Sequence, residues 1–288
     1  MSLEDVRAAF ERWHAAASAG VDLLTAVHEV FAPDCIVHLQ NGEDGGVAES
    51  TAQSAQAWAM WPDLSIEIDR VVTTDDRMLV QVTLTGTPSL VFRIARGRRT
   101  FAAEAAVVAK VSDRREITEI WAYLNPGAML TFPPASHPTP PPIPDGMPGN
   151  ESDASAVLTD WERASTGAEF LDRIIASASS HCLVHATNTD LGGIDLVESQ
   201  FHVVQAAFPD LRVEFEDGFV IGDRLVCQFQ FDGTQRGWLG IAPPSGSRVQ
   251  SRGAIVARVN LERRVEEAWL YLAPGMGLIF PRTDAERR

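Results

Sequence analysis

The stretch Phe31–Gly46 reads FAPDCIVHLQNGEDGG, and Ala178–Gly193 reads ASSHCLVHATNTDLGG. Set 147 positions apart, the two share a Cys, a Val-His pair, an Asn and a closing Gly-Gly. The match continues outward without a gap. Trp61-Pro62-Asp63-Leu64 falls on Phe208-Pro209-Asp210-Leu211, Asp76-Arg77 on Asp223-Arg224, and Gly86-Thr87 on Gly233-Thr234. From 31 to 87, 17 of 57 positions are identical. At an offset of 148, EIWAYLNPG from Glu119 falls on EAWLYLAPG from Glu267. A period this long is a duplicated domain, since solenoid units run to about 20–50 residues.

Between the copies lies PPASHPTPPPIPDG, from Pro133 to Gly146. So much proline forms neither helix nor central strand, so a stiff, extended linker is expected over 133–152. The expected domains are 1–132 and 153–282, with a short tail over 283–288. Within the first copy, apolar residues at helical spacing (Val6, Phe10, Trp13, Ala17) predict a helix over 4–19, stopped by Gly20. Further helices are expected over 22–30 and 50–60. Strands are expected at 35–40, 65–73, 77–86, 98–111 and 116–124. The second copy repeats this order. Helices followed by an antiparallel meander make an α+β domain.

The 288 residues carry 24 basic and 39 acidic side chains, a formal net charge of −15. Such a chain repels phosphate backbones and anionic lipid, which argues against nucleic-acid and membrane partners. No apolar run approaches the ~20 residues that span a bilayer. The N-terminal MSLEDVRAAF is acidic where an export signal is basic, so a cytoplasmic location is expected. Cys35, Cys182 and Cys227 form no CxxC pair and read as buried small hydrophobes. Lys110 is the sole lysine, which leaves little for a Schiff-base or lysine-tuned cofactor site. No cofactor and no metal are expected.

The second copy resembles the SnoaL-like polyketide cyclases of the nuclear transport factor two-like superfamily. The resemblance rests on Phe208-Pro209-Asp210-Leu211, on Gly222-Asp223-Arg224, and on the run GTQRGWLGIAPPSG from Gly233 to Gly246. Glu267-Ala268-Trp269 and Val184-His185 add to it. After Gly86-Thr87 the first copy has the shorter PSLVFRIARGRR and lacks the glycine-proline run. The resemblance implies a cone-shaped domain, with helices packed in a curved sheet around a pocket for a hydrophobic, oxygenated small molecule. It implies cofactor-free chemistry, a cyclisation or isomerisation in secondary metabolism. In the namesake enzymes an Asp at the end of the last strand is general acid and base. Here that place holds Asn125 and Ala273. A second branch opens epoxides in polyether assembly with an acidic pair on the first two strands. Here His38 or His185, with Glu67 or Glu214, stands at those places. A non-catalytic binding protein is the third reading. Members of this fold commonly dimerise through their sheets, so the two copies are expected to form an intrachain pseudo-dimer.

His185 and His38 hold one place in both copies, and imidazole can take a proton near neutrality. His181 and His185, four apart, could suggest a metal, but zinc needs three or four converging ligands and no further pair has that spacing. Glu67 and Glu214 sit in strands whose acids share one face, read as solvated or as lining a pocket. Trp121, Tyr123, Trp269 and Tyr271 form a duplicated W-x-Y containing the chain's two tyrosines. These rings are read either as pocket walls with a phenol donor or as packing. Glu119 and Glu267 share their face and could orient a neighbour or pair with an arginine. The run after Gly233 is expected as a wide hairpin loop, with Trp238 at a pocket mouth. The second copy is expected to hold the main pocket. There His185 would be the proton acceptor, Tyr271 the oxyanion donor, Glu214 the holder of the imidazolium, and Trp269 and Trp238 the apolar walls.

Overall fold

A computed structural model describes residues 31–38, 44–49, 51–52, 63–87, 101–114, 116–124, 148–164, 167–185, 191–192, 194–238 and 243–273. The helices expected over 4–19 and 22–30, most of that over 50–60, and most of the proline segment lie outside these residues. The described residues divide into two compact units, 31–124 and 148–273.

The first unit contains β1 (Phe31–His38), β2 (Asp44–Gly45), β3 (Ser65–Thr73), β4 (Arg77–Gly86), β5 (Phe101–Val111) and β6 (Ile117–Leu124). Strands β3 to β6 form an antiparallel meander, and β1 joins β6 in parallel. Cys35, Val37, Met78, Val80, Val82, Ala105 and Ala109 form the apolar core on one face.

The second unit begins with helices α1 (Glu151–Ala164) and α2 (Gly167–Ser177). Strands β7 (Ala178–His185) and β8 (Leu191–Gly192) follow, then helix α3 (Ile194–Ala207). The meander is β9 (Arg212–Ile221), β10 (Arg224–Thr234), β11 (Arg248–Val259) and β12 (Val265–Leu272), with β7 parallel to β12. Helix α1 starts two residues before the expected boundary because Asn150 caps it. Asn150 Oδ1 accepts from the Ser152 and Asp153 amides at 2.9 and 3.2 Å, and the Asn150 amide donates back to Asp153 Oδ2. Trp161 of α1 is fully buried among Phe170, Leu225, Cys227 and Phe229. Its indole N–H donates to Ser177 Oγ at 3.1 Å. No described helix is long and apolar enough to cross a membrane.

The two sheets repeat one register. Gly86 pairs with Phe101 and Gly233 with Val249, so the step from offset 147 to 148 falls in the hairpin connections. Irregular pairing recurs too, around Asp69 in β3 and around Glu216 in β9, and again at Thr118 in β6 and Glu266 in β12.

The shared Pro-Asp-Leu and Gly-Thr motifs lock to each other. Asp63 Oδ1 accepts from the Thr87 amide at 2.6 Å, and Asp210 accepts from the amide and hydroxyl of Thr234 at 2.7 and 2.8 Å. Those hydrogen bonds lower the Asp210 pKa below its ordinary value. Beyond Thr234, the amides of Arg236 and Gly237 both donate to the carbonyl of Ala207, the last residue of α3. A Cβ on Gly237 would stand 2.3 Å from the Ala206 carbonyl oxygen. Gly237→Ala is therefore expected to pry the loop from α3 and destabilise the unit by about 1–3 kcal/mol. A denaturant midpoint equal to that of the parent protein would contradict this.

Candidate functional site

Alternation along paired strands sorts the second sheet into rows. The rows Leu225–Ala257–Ala268–Val184, Cys227–Ile255–Leu270 and Phe229–Gly253–Leu272 face the helices and join the core with Trp161 and Phe170. They contain no carboxylate, histidine, lysine or arginine. The opposite face carries Arg224–Arg258–Glu267, Val226–Val256–Trp269–His185 and Gln228–Ala254–Tyr271. The W-x-Y rings and the histidine thus share one face, and it is the face turned away from the helices. They do not line the apolar side that the helices cover.

On that face His185 is 7% exposed and closes β7. Its ring stacks on Trp269, with centroids 4.8 Å apart and planes 5° from parallel. His185 Nε2 lies 3.1 Å from Glu267 Oε1. The other oxygen, Oε2, is 3.5 Å from Arg258 Nε, and Arg258 Nη1 is 2.9 Å from Glu266 Oε2. The Arg224 guanidinium lies over the Trp269 ring at 5.3 Å. Tyr271, two residues beyond Trp269, is 1% exposed.

The first copy builds the same grid from Arg77–Lys110–Glu119, Leu79–Val108–Trp121–His38 and Gln81–Ala106–Tyr123. His38 stacks on Trp121 at 4.5 Å, and its Nε2 lies 2.9 Å from Glu119 Oε1. Lys110 Nζ is 2.6 Å from Glu119 Oε2 and 5.3 Å from the Trp121 ring centre. Here Asp44 Oδ1 also takes His38 Nδ1, at 2.6 Å. The equivalent residue of the second copy is Leu191.

Burial alone would raise the Glu119 pKa, but hydrogen bonds from Lys110 and His38, helped by their charges, hold it below its ordinary 4.5. A carboxyl whose pKa is lower folded than unfolded stabilises the fold above the unfolded value and loses that contribution as pH falls through the folded one. Stability is therefore expected to decline with acid below the ordinary glutamate range, and Glu119→Gln to flatten that decline. Acid titrations of unfolding that superimpose for the two proteins would contradict the assignment. The thiols of Cys35 and Cys182 are pushed up to about 12, chiefly by burial, and burial raises Cys227 as well. None of the three is a ready nucleophile.

Four of the expected residues, Glu214, Glu67, Trp238 and His181, lie elsewhere. Glu214 is exposed on β9 and accepts from Gln230 Nε2 at 3.2 Å. Strands β10, β11 and β12 separate it from His185, roughly 19 Å along the sheet at about 4.8 Å per strand. The carboxylate that meets His185 is Glu267. Glu67 is likewise exposed on β3. Trp238 is 63% exposed on the hairpin loop. His181 is exposed, and no group of three or more potential metal ligands converges among the described residues. Arg224, quoted above only as part of the repeated Asp-Arg pair, and Arg258 and Gln228 were not among the expected site residues, although Arg77 and Gln81 match Arg224 and Gln228 at offset 147, and Lys110 matches Arg258 at 148.

A model of the SnoaL-like polyketide cyclase family matches residues 8–131 and 161–272. No curated protein matches the chain. Solved structures that resemble it include a candidate SnoaL-like polyketide cyclase from Jannaschia sp. CCS1, at 20% identity and a TM-score of 0.38, covering 51% of this chain and 99% of that one. IdmH, a candidate polyketide cyclase from Streptomyces antibioticus, is 21% identical with a TM-score of 0.37, covering 43% and 94%. AclR, a candidate hydroxylase from Streptomyces galilaeus, is 21% identical with a TM-score of 0.34, covering 42% and 90%.

Proposed function

Because the chain belongs to the SnoaL-like polyketide cyclase family, in a tandem of its nuclear transport factor two-like α+β fold, we propose that it is a cofactor-independent cyclase or isomerase of a polyketide-like small molecule, working by proton transfer in its second copy. The observation that carries this reading is the buried contact of His185 with Glu267. An ionised carboxylate only accepts hydrogen bonds, so His185 Nε2 carries the proton, and the neutral ring has its lone pair on Nδ1. A proton taken at Nδ1, from carbon beside a carbonyl or from a hydroxyl, makes an imidazolium that the Glu267 charge stabilises. Tyr271, one row away on the same face, is the candidate donor to the developing oxyanion. His38 is unsuited to that task, because carboxylates face both of its nitrogens and each contact uses an N–H.

Epoxide opening by a pair made of His185 and Glu214 lacks support from the geometry, since those side chains lie at opposite ends of the sheet. A binding protein without catalysis is the second reading, favoured by the apolar rows beneath the helices. The test is to offer polyketide-like poly-ketones and follow both binding, by tryptophan fluorescence, and products, by mass spectrometry. Turnover lost in His185→Ala with binding retained supports the enzyme. Tight binding without turnover by the unaltered protein overturns it.

A further inference from the structure

We propose that Arg258 is a positioning residue that acts through Glu267 to fix the tautomer of His185, locked in that role by the bulge residue Glu266. This rests on the reading of His185 as the proton acceptor.

Arg258 faces Glu267, while the next residue, Val259, faces Val265, so Glu266 is the extra residue of a bulge. A bulge re-aims side chains, and here it brings two consecutive acids to one guanidinium. Arg258 Nη1 meets Glu266 Oε2 at 2.9 Å, and Arg258 Nε meets Glu267 Oε2 at 3.5 Å. Glu266 is itself tethered, since Asn260 Nδ2 donates to its Oε1 at 3.0 Å. The fork geometry of arginine suits two carboxylates at once, which a lysine would meet as a point charge. Both acids and the guanidinium are nearly buried, so these contacts are little screened by solvent.

The consequence falls on Glu267. Arg258 draws its Oε2, which leaves Oε1 directed at His185 Nε2. The first copy divides its carboxylate the same way, with Lys110 on Glu119 Oε2 and His38 on Oε1. There the bulge residue is Thr118, whose hydroxyl donates to the Lys110 carbonyl. The second copy has exchanged the Lys–Thr pair for Arg–Glu, which adds a second anchor to the cation. The charged groups on β12 are Glu266 and Glu267, on β11 Arg248, Arg252 and Arg258, and on β10 Arg224 and Asp232; Arg248 pairs with Asp232 and Arg252 with Glu216, while Glu266, Glu267, Arg258 and Arg224 lie in the rows next to His185.

The test uses the full chain with 15N-labelled histidine, read by NMR at the ring nitrogens, so it needs no substrate. Arg258→Gln is expected to lower the share of His185 with its proton on Nε2 and to shift its titration. Arg258→Lys is expected to restore most of the parent pattern. Where Arg258→Gln does not fold, Glu266→Gln removes the anchor while leaving Arg258 and Glu267, and a smaller shift in the same direction is expected. Once a substrate is in hand, Arg258→Gln is expected to lower kcat by up to about 10²-fold, the cost of a slightly misplaced reacting group, with KM little changed. A folded Arg258→Gln or Glu266→Gln protein with the parent tautomer and titration would overturn the proposal. Failure of the catalytic reading is distinct: His185→Ala would then leave turnover intact whatever the Arg258 variants do to the ring.

Discussion

Replacing His185 by alanine is expected to lower the rate of the family-type conversion by about 10²–10⁴-fold, the usual share of a positioned general base. The same change at His38 is expected to alter the rate by only a small factor. The two histidines are equivalent in sequence and in stacking, on Trp269 and Trp121. They differ in what their rings must do. His38 donates toward Asp44 and Glu119 at 2.6 and 2.9 Å, a cross-link between β1, β2 and β6. For His185 the proposed mechanism has Nε2 donate to a carboxylate held by an arginine, so that Nδ1 is the basic nitrogen of the neutral ring. Rates measured beside circular dichroism, to confirm folding, separate the cases. Equal small losses would make both histidines structural, and a large loss for His38→Ala alone would place the chemistry in the first copy.

Trp161→Ala is expected to destabilise the second unit by about 3–5 kcal/mol, the range for emptying a large aromatic site in a packed core. Trp161 is fully buried where α1 meets α2 and the helix-facing rows of β10 and β11. Removing the indole opens a cavity that backbone on two sides resists filling. It also strips Ser177 Oγ of its 3.1 Å donor, although that hydroxyl still donates to the Ile174 carbonyl at 2.7 Å. Trp161→Phe keeps most of the volume and loses the hydrogen bond, so it is expected to cost less. Denaturant unfolding followed by far-ultraviolet circular dichroism measures both. A loss under about 1 kcal/mol for Trp161→Ala would show that the helices are not anchored there.

The order of elements and the antiparallel meander were legible because the chain is written twice; the pairing register was not. Pro-Asp-Leu and Gly-Thr could be matched across the copies, and the structure gives the reason they persist: Asp63 and Asp210 hold the backbone of Thr87 and Thr234. The shared face of Trp269 and Tyr271 was legible from their alternation. Which face it is was not, because that depends on how β12 lies against β7 and β11. The partner of His185 was misplaced for the same reason. Glu214 follows it on the next long strand in the chain, yet the long strand that pairs with β7 is β12, and so Glu267 arrives. Arg258 escaped notice because Lys110 and Arg258 differ in identity, and only the shared register aligns their charges.

On the proposed mechanism Glu267 fixes the proton of His185 on Nε2, so that Nδ1 is the base. The most direct measurement is the 15N NMR signature of the His185 ring at neutral pH, assigned with His185→Gln. The expected result is a protonated Nε2 and an unprotonated Nδ1 in the neutral ring, with that preference lost in Glu267→Gln. A neutral ring with its proton on Nδ1, or a tautomer indifferent to Glu267, would rule that role out.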